Sequence, residues 1–290
     1  MVYQEGLLMR LKCRSSKNSL FLLCVGIISV GQISLAQPSL IVSDVDDTVR
    51  SMNSKSLSEM SSRLSDVTNA FSGISVLYEN WKLEGAERLV GFVTAGSTLF
   101  SNKYKAFMTA NHFPNDFLVM KGLGSGGTYE YKVKAVRKIL ADRNPEKVLF
   151  IGDNSSEDTN VYQTIVAENS QLVSQTYIHQ IFSGSNAAPV HPGQTPFLTP
   201  ADLAIHLFNT GEISEATLRQ TLLTVANDLR PGGKAVNVVD HFFECGDFFL
   251  GRGWPQLTAG DSDLNDLSEE ILAAVEQRCA NPSSRQRRPF

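Results

Sequence analysis

Acidic residues follow two apolar segments of the sequence, and their spacing suits metal-assisted chemistry on phosphate esters. Asp44 and Asp46 come directly after one such segment, and Asp153 and Asp158 come directly after another. In such a set, one carboxylate can ligate a metal ion and attack phosphorus while another moves protons. Because a phosphoryl group spreads negative charge over its oxygens, a divalent cation must neutralise it, and Mg²⁺ prefers oxygen ligands. The alternative for the first pair is a Ca²⁺-binding or helix-capping loop, although no EF-hand continuation follows.

Two further residues could complete a phosphoryl-transfer site. Thr94 ends the apolar segment 89–93, where its hydroxyl could donate a hydrogen bond to a phosphate oxygen. Lys132 opens a predicted helix, where its ammonium could stabilise both the attacking carboxylate and the transferring phosphoryl group. A threonine at a strand end is usually structural and a lysine is usually solvated, and Lys134 competes with Lys132 for the role. Asp158 could hold Lys132 or a metal-bound water.

Apolar segments that alternate with helical patterns would position these residues. Strands alternating with helices indicate a Rossmann-like parallel sheet flanked by helices, and such sheets bind ligands at the carboxyl ends of their strands. Three of the four predicted strand ends carry groups suited to phosphate and metal, so we expect them to meet at one edge. The predicted strands are 40–43, 89–93, 117–120 and 148–151, and helices are predicted within 51–65, 70–81, 99–111 and 131–140.

The second half of the chain carries weaker signals. A strand is predicted within 172–182, and the helical segments are 200–208, 214–229 and 263–278. These patterns divide the chain into a catalytic domain at 38–182, a loop rich in glycine and proline at 183–199, and a mainly helical C-terminal region at 200–290.

The N-terminal segment 1–36 is typical of a secretory signal peptide. Four basic residues precede the apolar run 20–30, and the small-residue sequence Ser34-Leu35-Ala36 follows it. We expect cleavage after Ala36 and a periplasmic or secreted protein, with an uncleaved membrane anchor as the alternative. The remaining chain would carry 22 basic and 29 acidic residues, a net charge of −7. This acidic balance argues against nucleic-acid binding and gives little general attraction to anionic membranes.

Cysteine usage agrees with export. After cleavage only Cys245 and Cys279 remain, and an even pair in an oxidising compartment is a disulfide candidate. A disulfide between these two cysteines would close a ring of residues, and in the chain-entropy model closing this ring contributes roughly 3–4 kcal/mol to stability. Two buried free thiols are the alternative. An aromatic and aliphatic cluster at 242–254 surrounds Cys245, and it predicts either core packing or a membrane-facing patch.

The ordered motifs resemble those of the haloacid dehalogenase superfamily. They are Asp44-Val-Asp46-Asp-Thr48, Thr94, Lys132 and Gly152-Asp153-x₄-Asp158, in that order along the chain. Any one of them is weak, whereas four in order are specific. The resemblance implies a haloacid dehalogenase-like fold, Asp44 as nucleophile and Asp46 as general acid and base. It further implies Mg²⁺ held by Asp44, by the backbone carbonyl of Asp46 and by Asp153.

A narrower resemblance covers about residues 40–166 and points to the catalytic domain of the actin-patch-type phosphatidate phosphatases. It rests on Phe71-Ser-Gly-Ile-Ser-Val-Leu-Tyr78, Phe113-Pro114, Tyr131-Lys132-Val133 and the Gly152 motif extended to Tyr162. The pattern departs at the second strand end, where the family's Ser-Asn-Ser-Pro-Trp reads Thr94-Ala-Gly-Ser-Thr98. The resemblance implies hydrolysis of phosphatidate to diacylglycerol.

The sequence therefore predicts a phosphomonoester hydrolase that acts through an aspartyl phosphate. The gaps between Asp47, Thr94 and Lys132 leave no room for a large cap domain, so the open site suits a bulky or membrane-embedded ester and a peripheral membrane contact. The alternatives are an exported general phosphatase for soluble nucleotide or sugar phosphates and a binding module without turnover. Gly122-x-Gly124-x-x-Gly127 also fits a dinucleotide fingerprint, but a substrate loop or a simple turn explains it better.

Overall fold

The strands that carry the acidic residues lie at the centre of a parallel sheet. The computed structural model describes residues 38–251 and 253–281, so the predicted signal peptide lies outside the described residues. Within them the strand order is β3-β2-β1-β4-β5-β6, and every neighbouring pair is parallel. The strands are β1 (Ser39–Ser43), β2 (Arg88–Ser97), β3 (Phe117–Lys121), β4 (Lys147–Asp153), β5 (Val173–His179) and β6 (Gln194–Phe197).

Strands β1 and β4 are buried on both faces because each is a nearly continuous apolar run. Alternate residues of β1 enter two separate hydrophobic clusters, with Ile41 in one and Leu40 and Val42 in the other. In the register Ser43 lies opposite Ile151, and the backbone N–H of Asp44 donates to the Ile151 carbonyl at 2.9 Å. The chain segments that follow β1 and β4 therefore leave the sheet at the same level.

Helices cover both faces of the sheet, which confirms the predicted α/β class. They are α1 (Leu57–Arg63), α2 (Ile74–Leu83), α3 (Ser101–Ala110), α4 (Thr128–Arg143), α5 (Asp158–Glu168), α6 (Pro200–Asn209), α7 (Glu215–Leu229), α8 (Gly246–Gly251) and α9 (Ser262–Ala280). In α4 the buried positions Val133, Val136 and Ile139 follow helical spacing, so they pack against the sheet. Among the described residues, none of the helices combines the length and apolar character that crossing a bilayer requires.

The sheet extends beyond the boundary predicted at residue 182. Within the predicted loop 183–199, β6 pairs with β5, where Gln194 lies opposite Thr176 and Phe197 lies opposite His179. The loop assignment is wrong for these residues because turn-forming neighbours hid a short strand. Pro196 is compatible with β6 because an edge strand leaves one side of its backbone unpaired.

The C-terminal helices share the core of the sheet. Phe71 and Trp81 belong to the same hydrophobic cluster as Leu222, Val225 and the buried residues of α9. A disulfide joins Cys245 to Cys279, whose Cα atoms lie 5.7 Å apart, and it ties the start of α8 to the end of α9.

The aromatic cluster beside Cys245 belongs to this core as well. Phe243, Phe248 and Trp254 are buried. The indole N–H of Trp254 donates to the Ser268 hydroxyl at 2.9 Å. Core packing therefore explains these three residues, and the membrane-facing interpretation is wrong for them.

Candidate active site

Lys132 lies between two carboxylates at the carboxyl ends of the central strands. Its Nζ donates to Oδ1 of Asp44 at 2.7 Å and to Oδ1 of Asp158 at 2.5 Å. All three residues are buried, with exposed fractions of 4%, 3% and 0%. Lys132 reaches this point because it lies on the first turns of α4, whose Val133 and Val136 anchor the helix on the sheet. Lys134 on the same helix is exposed, so the structure separates the two competing lysines.

Asp153 and Asp158 are held by the turn that follows β4. The backbone N–H of Ser155 donates to Oδ1 of Asp153 at 2.6 Å, and the Thr48 hydroxyl donates to its Oδ2 at 3.0 Å. Oδ2 of Asp158 accepts the backbone N–H of Asp153 at 3.3 Å, while its Oδ1 binds Lys132. Asp158 therefore orients Lys132 and the Asp153 turn.

The segment after β1 turns sharply at Asp47, and sequence patterns did not reveal this role. Asp47 has a φ of 65°, which is unusual for a residue other than glycine. Its carboxylate accepts three backbone N–H groups, from Met52 at 2.9 Å, Asn53 at 2.8 Å and Ser54 at 2.6 Å. These bonds offset the strain and direct Thr48 toward Asp153. The signal available in the sequence was an aspartate placed shortly before a polar turn.

Asp46 points toward the end of β2, where two hydroxyl groups meet its carboxylate. The phenol of Tyr104 donates a short hydrogen bond to Oδ2, and the Thr94 hydroxyl donates to the same oxygen at 3.4 Å. Oδ1 of Asp46 is buried and has no hydrogen-bond partner among the residues that the structure describes. Leaving a buried carboxylate oxygen without a hydrogen-bond partner costs free energy. Oδ1 of Asp46 is therefore suited to accept a proton from the substrate or from water.

Tyr104 was missed by sequence reasoning, and Gly96 explains how it reaches Asp46. The pairing of β2 with β3 shifts between Thr94 and Ser97, so Ala95 and Gly96 bulge out of the ladder. A Cβ atom at Gly96 would lie 2.2 Å from the Tyr104 hydroxyl. The glycine therefore leaves the space that the phenol occupies.

The electrostatics of the site call for an additional positive charge. Asp44, Asp153 and Asp158 offer oxygens that all lie within 4.8 Å of one another, and Lys132 supplies one positive charge against their three negative ones. Burial raises the pKa of Asp44 well above its usual range even though Lys132 opposes the shift. Burial, together with the charges of Asp158 and Asp47, raises the pKa of Asp153 to about 7. Burial lowers the pKa of Lys132, but Asp158 and Asp44 more than reverse this, so its pKa is raised.

A divalent cation fits this arrangement because its charge would offset the excess. Hard cations such as Mg²⁺ take carboxylate oxygens as ligands, and the buried cluster offers them at one point. Both oxygens of Asp153 and both oxygens of Asp158 already accept hydrogen bonds, so a cation would share these oxygens with their present donors. The cluster is therefore compatible with a divalent metal site.

A cavity of about 470 Å³ opens from these carboxylates. Its polar floor includes Asp44, Asp46, Thr94, Lys132 and Asp153. Its walls combine serine hydroxyl groups with the apolar side chains of Met52, Leu57, Met60, Leu64 and Phe100, which we call the apolar wall. The cavity can therefore receive a phosphate at its floor and an apolar group along its wall.

Buried arginines hold α1, which supplies much of this wall. Arg50 donates to the carbonyl oxygens of Arg63 and Leu64 at 2.9 and 2.8 Å. Nη1 of Arg63 donates to Oδ2 of Asp240 at 2.8 Å, and the Ser51 hydroxyl donates to the same oxygen at 2.6 Å. Asp240 lies in the C-terminal region, so this region helps to position the cavity wall.

The family described as "Phosphatidate phosphatase APP1, catalytic domain" matches residues 39–180, a little under half of the chain. These residues include every predicted catalytic and metal-binding position. The resemblance to this catalytic domain is thereby confirmed. The match and the α/β fold together support a phosphoric monoester hydrolase.

The solved structures that resemble this chain do so only distantly. No curated protein matches the chain significantly. A structure of a Pnkp1/Rnl/Hen1 complex is 12% identical with a TM-score of 0.36, covering 51% of this chain and 48% of that one. The HAD domain of effector protein Lem4 from Legionella pneumophila is 14% identical with a TM-score of 0.34, covering 49% and 85%. The chain spans about half the length of the first of these.

We expect Asp240→Asn to destabilise the protein by about 3 kcal/mol, because it removes the fully buried carboxylate that pairs with Arg63 and leaves only the longer contact with the partly exposed Glu59. Chemical denaturation at neutral pH measures the change. Asp142→Asn is the matched control, since Asp142 pairs with Lys138 on the surface and such pairs contribute about 0–1 kcal/mol. Equal losses in the two variants would contradict the assignment.

The group formed by Arg63, Asp240 and His241 should also make the stability of the protein depend on pH. Burial would raise the pKa of Asp240, but hydrogen bonds from His241 and Arg63 outweigh burial and hold it well below its usual range. Its contribution is present above the unfolded pKa of about 4 and is lost as pH falls further. The hydrogen bond to Asp240 raises the pKa of His241, so that contribution is present below about 6.5 and is lost as pH rises. Asp240→Asn should therefore weaken the dependence of the free energy of unfolding on pH, both below about pH 4 and above about pH 6.5.

Proposed function

We propose that this chain, whose residues 39–180 resemble the catalytic domain of the phosphatidate phosphatase APP1, hydrolyses phosphomonoesters through a phosphorylated Asp44. The observation that carries the proposal is the contact of Lys132 with Asp44 at 2.7 Å, at a point where Asp153 and Asp158 are also buried. A buried carboxylate with an ammonium beside it and an open cavity in front of it is suited to nucleophilic attack.

The reaction requires two steps that use different carboxylates. In the first, an oxygen of Asp44 attacks phosphorus, the bond from phosphorus to the ester oxygen breaks, and the leaving oxygen takes a proton from Asp46. In the second, Asp46 takes a proton from water as that water attacks the phosphorus of the aspartyl phosphate, which releases phosphate and restores Asp44. Burial raises the pKa of Asp46 although Tyr104 opposes the shift, which favours its carrying the proton.

Lys132 and Thr94 stabilise the charge that moves during these steps. The ammonium of Lys132 lies beside the attacking oxygen, and its raised pKa keeps it positive at neutral pH. Asp158 restricts the ammonium to this position. Thr94 lines the same cavity floor, where its hydroxyl can contact a phosphate oxygen.

We assign Mg²⁺ as the cation, with Asp44, Asp153 and the backbone carbonyl of Asp46 as its protein ligands. Support comes from the oxygen-rich donor set and from the excess negative charge of the buried cluster. When bound, the ion would neutralise charge on the phosphoryl oxygens. Thr48 and Ser155 position Asp153 for this role.

The substrate we favour is phosphatidate or a similar phosphomonoester lipid. Support comes from the matched family and from the cavity wall, where Met52, Met60 and Leu64 offer apolar surface close to Asp44.

We further propose that the protein is exported. The disulfide between Cys245 and Cys279 supports this, because such bonds persist in oxidising compartments and are rare in the cytosol. The pattern at 1–36 points the same way.

Asp44→Asn should lower turnover of p-nitrophenyl phosphate at least about a thousandfold, because the amide cannot attack phosphorus. Lys132→Met should lower kcat about a hundredfold to a thousandfold. The matched controls are Asp142→Asn and Lys134→Met, which change exposed residues of the same types. Chelation should abolish turnover and Mg²⁺ should restore it. Residual turnover in Asp44→Asn similar to the wild type would exclude this nucleophile, and a wild type without turnover would favour a binding module.

The substrate class is tested by comparing phosphate release from phosphatidate in mixed micelles with release from nucleotide and sugar monophosphates. We expect kcat/KM for phosphatidate to be at least about tenfold higher, since burying even one side-chain-sized apolar group contributes about 1.5–3 kcal/mol. A preference for the soluble esters would instead identify a general phosphatase.

Export is tested by the N-terminus and the redox state of the protein recovered from its native cells. We expect the chain to begin at Gln37 and to contain the Cys245–Cys279 disulfide. Reduction should lower the free energy of unfolding by roughly 3–4 kcal/mol. An intact Met1, with the protein in the cytosolic fraction and its thiols free, would contradict export.

A further inference from the structure

Large apolar side chains are exposed around the mouth of the catalytic cavity. They are Leu57, Leu99, Phe100 and Leu123, with exposed fractions of 78%, 70%, 44% and 80%. They make up four of the seven large exposed hydrophobic residues in the part of the chain that the structure describes. Exposed apolar groups concentrated in one area indicate an interaction surface.

Three separate connections bring these residues to the same edge of the sheet. Leu57 opens α1 after β1, Leu99 and Phe100 follow β2, and Leu123 follows β3. Because the strands are parallel, all three connections leave the carboxyl edge, where Asp44 also lies. We call these four residues the apolar rim.

The apolar rim is continuous with the catalytic cavity. Leu57 and Phe100 belong both to the rim and to the cavity wall. Leu123 lines a neighbouring depression of about 290 Å³ that shares Ala95 and Ser97 with the cavity. A molecule that covers the rim would therefore also reach the cavity mouth.

The charges beside the rim favour an anionic partner. Residues 95–130 contain Lys103, Lys105 and Lys121 and two acids, Asp116 and Glu130. Asp116 accepts from Lys82 and from the backbone N–H of Val90, which places it near the start of β2 rather than at the carboxyl edge. Although the whole chain is acidic, charges farther away than a Debye length of about 8 Å are largely screened at physiological salt. Glu130 lies beside the loop that carries Leu123, because its carboxylate is next to Gly127. The segment therefore has three lysines against one acid at this edge, a local excess of positive charge.

We propose that the apolar rim docks on the surface of an anionic bilayer and that the enzyme takes its phosphomonoester lipid directly from that bilayer. The inference rests on the proposed function and identifies the physical form of its substrate. Leucine and phenylalanine side chains enter the boundary between headgroups and acyl chains, and flanking lysines pair with anionic headgroups. The headgroup phosphate then reaches the polar floor, and the adjacent acyl chains follow the wall formed by Met52, Met60 and Leu64.

Flotation of the purified full chain with phosphatidylcholine vesicles, with and without phosphatidate, tests this docking. A chelator prevents hydrolysis, so binding is measured without turnover. Leu99→Gln/Leu123→Gln should weaken binding at least about tenfold, because each leucine loses apolar contact with the bilayer. The matched control is Leu83→Gln/Val173→Gln, which changes residues exposed by 75% and 57% at the opposite edge of the sheet and should bind like the wild type.

The lysines provide a second, independent measurement. Replacing Lys103 or Lys121 by glutamine should weaken binding to phosphatidate vesicles about fivefold for each lysine, because a basic residue near an anionic surface contributes about 1 kcal/mol. Binding to pure phosphatidylcholine should not change. Lys138→Gln is the control, since Lys138 lies on the exposed face of α4 and pairs with Asp142.

Several outcomes would overturn the docking. Wild type that does not float with phosphatidate vesicles, or a rim variant that floats as well as the wild type, excludes it. A wild-type dimer that the rim variant converts to a monomer, without vesicle binding by either, shows that a second copy covers the rim.

Thermal melting shows whether the double variant folds. If it does not fold, the single variant Leu123→Gln and the lysine variants decide whether the docking occurs. Soluble-ester turnover separates the two proposals, because turnover without vesicle binding excludes docking alone, and vesicle binding without turnover excludes the proposed function.

Discussion

One buried ammonium among three buried carboxylates is the interaction on which the rest of the site depends. Lys132 contacts Asp44 and Asp158 where little water can screen their charges, so these contacts are strong and an unpaired charge would be costly. Each carboxylate is accordingly held by Lys132, by a backbone N–H or by a hydroxyl. The group exists only after β1, β4 and α4 have packed together, so the chemistry and the fold have the same structural origin.

The carboxyl edge of the sheet also combines two opposite physical characters. Its floor contains the most strongly perturbed acids, and its mouth carries exposed leucines and a phenylalanine. Helix α1 joins the two, because Leu57 and Met60 face the cavity while Arg63 is buried against Asp240. The C-terminal helices thus act as a support for the catalytic edge, since their core is continuous with that of the sheet. A substrate with a charged head and an apolar body matches this division.

Much of the fold and most of the site could be predicted because their signals are local. Continuous apolar runs predict buried parallel strands, and the acids directly after them predict the ligand-binding edge. Asp44, Asp153 and Lys132 were identified in this way and lie together as expected. The pairing of Cys245 with Cys279 followed from the presence of two cysteines after the predicted signal peptide. Strand β6 was missed because it is short and its neighbours favour turns.

The sequence by itself determined which residue types follow each strand, because strand and motif patterns span only a few consecutive residues. Only the tertiary structure decided which side chains from distant positions complete the site. Tyr104 reaches Asp46 across 58 positions, and Asp240 reaches Ser51 across 189. Neither contact has a local pattern, because a hydrogen bond depends on where two backbones lie in space. The apolar rim has the same origin, since leucines from three connections become one surface only when parallel strands align their ends.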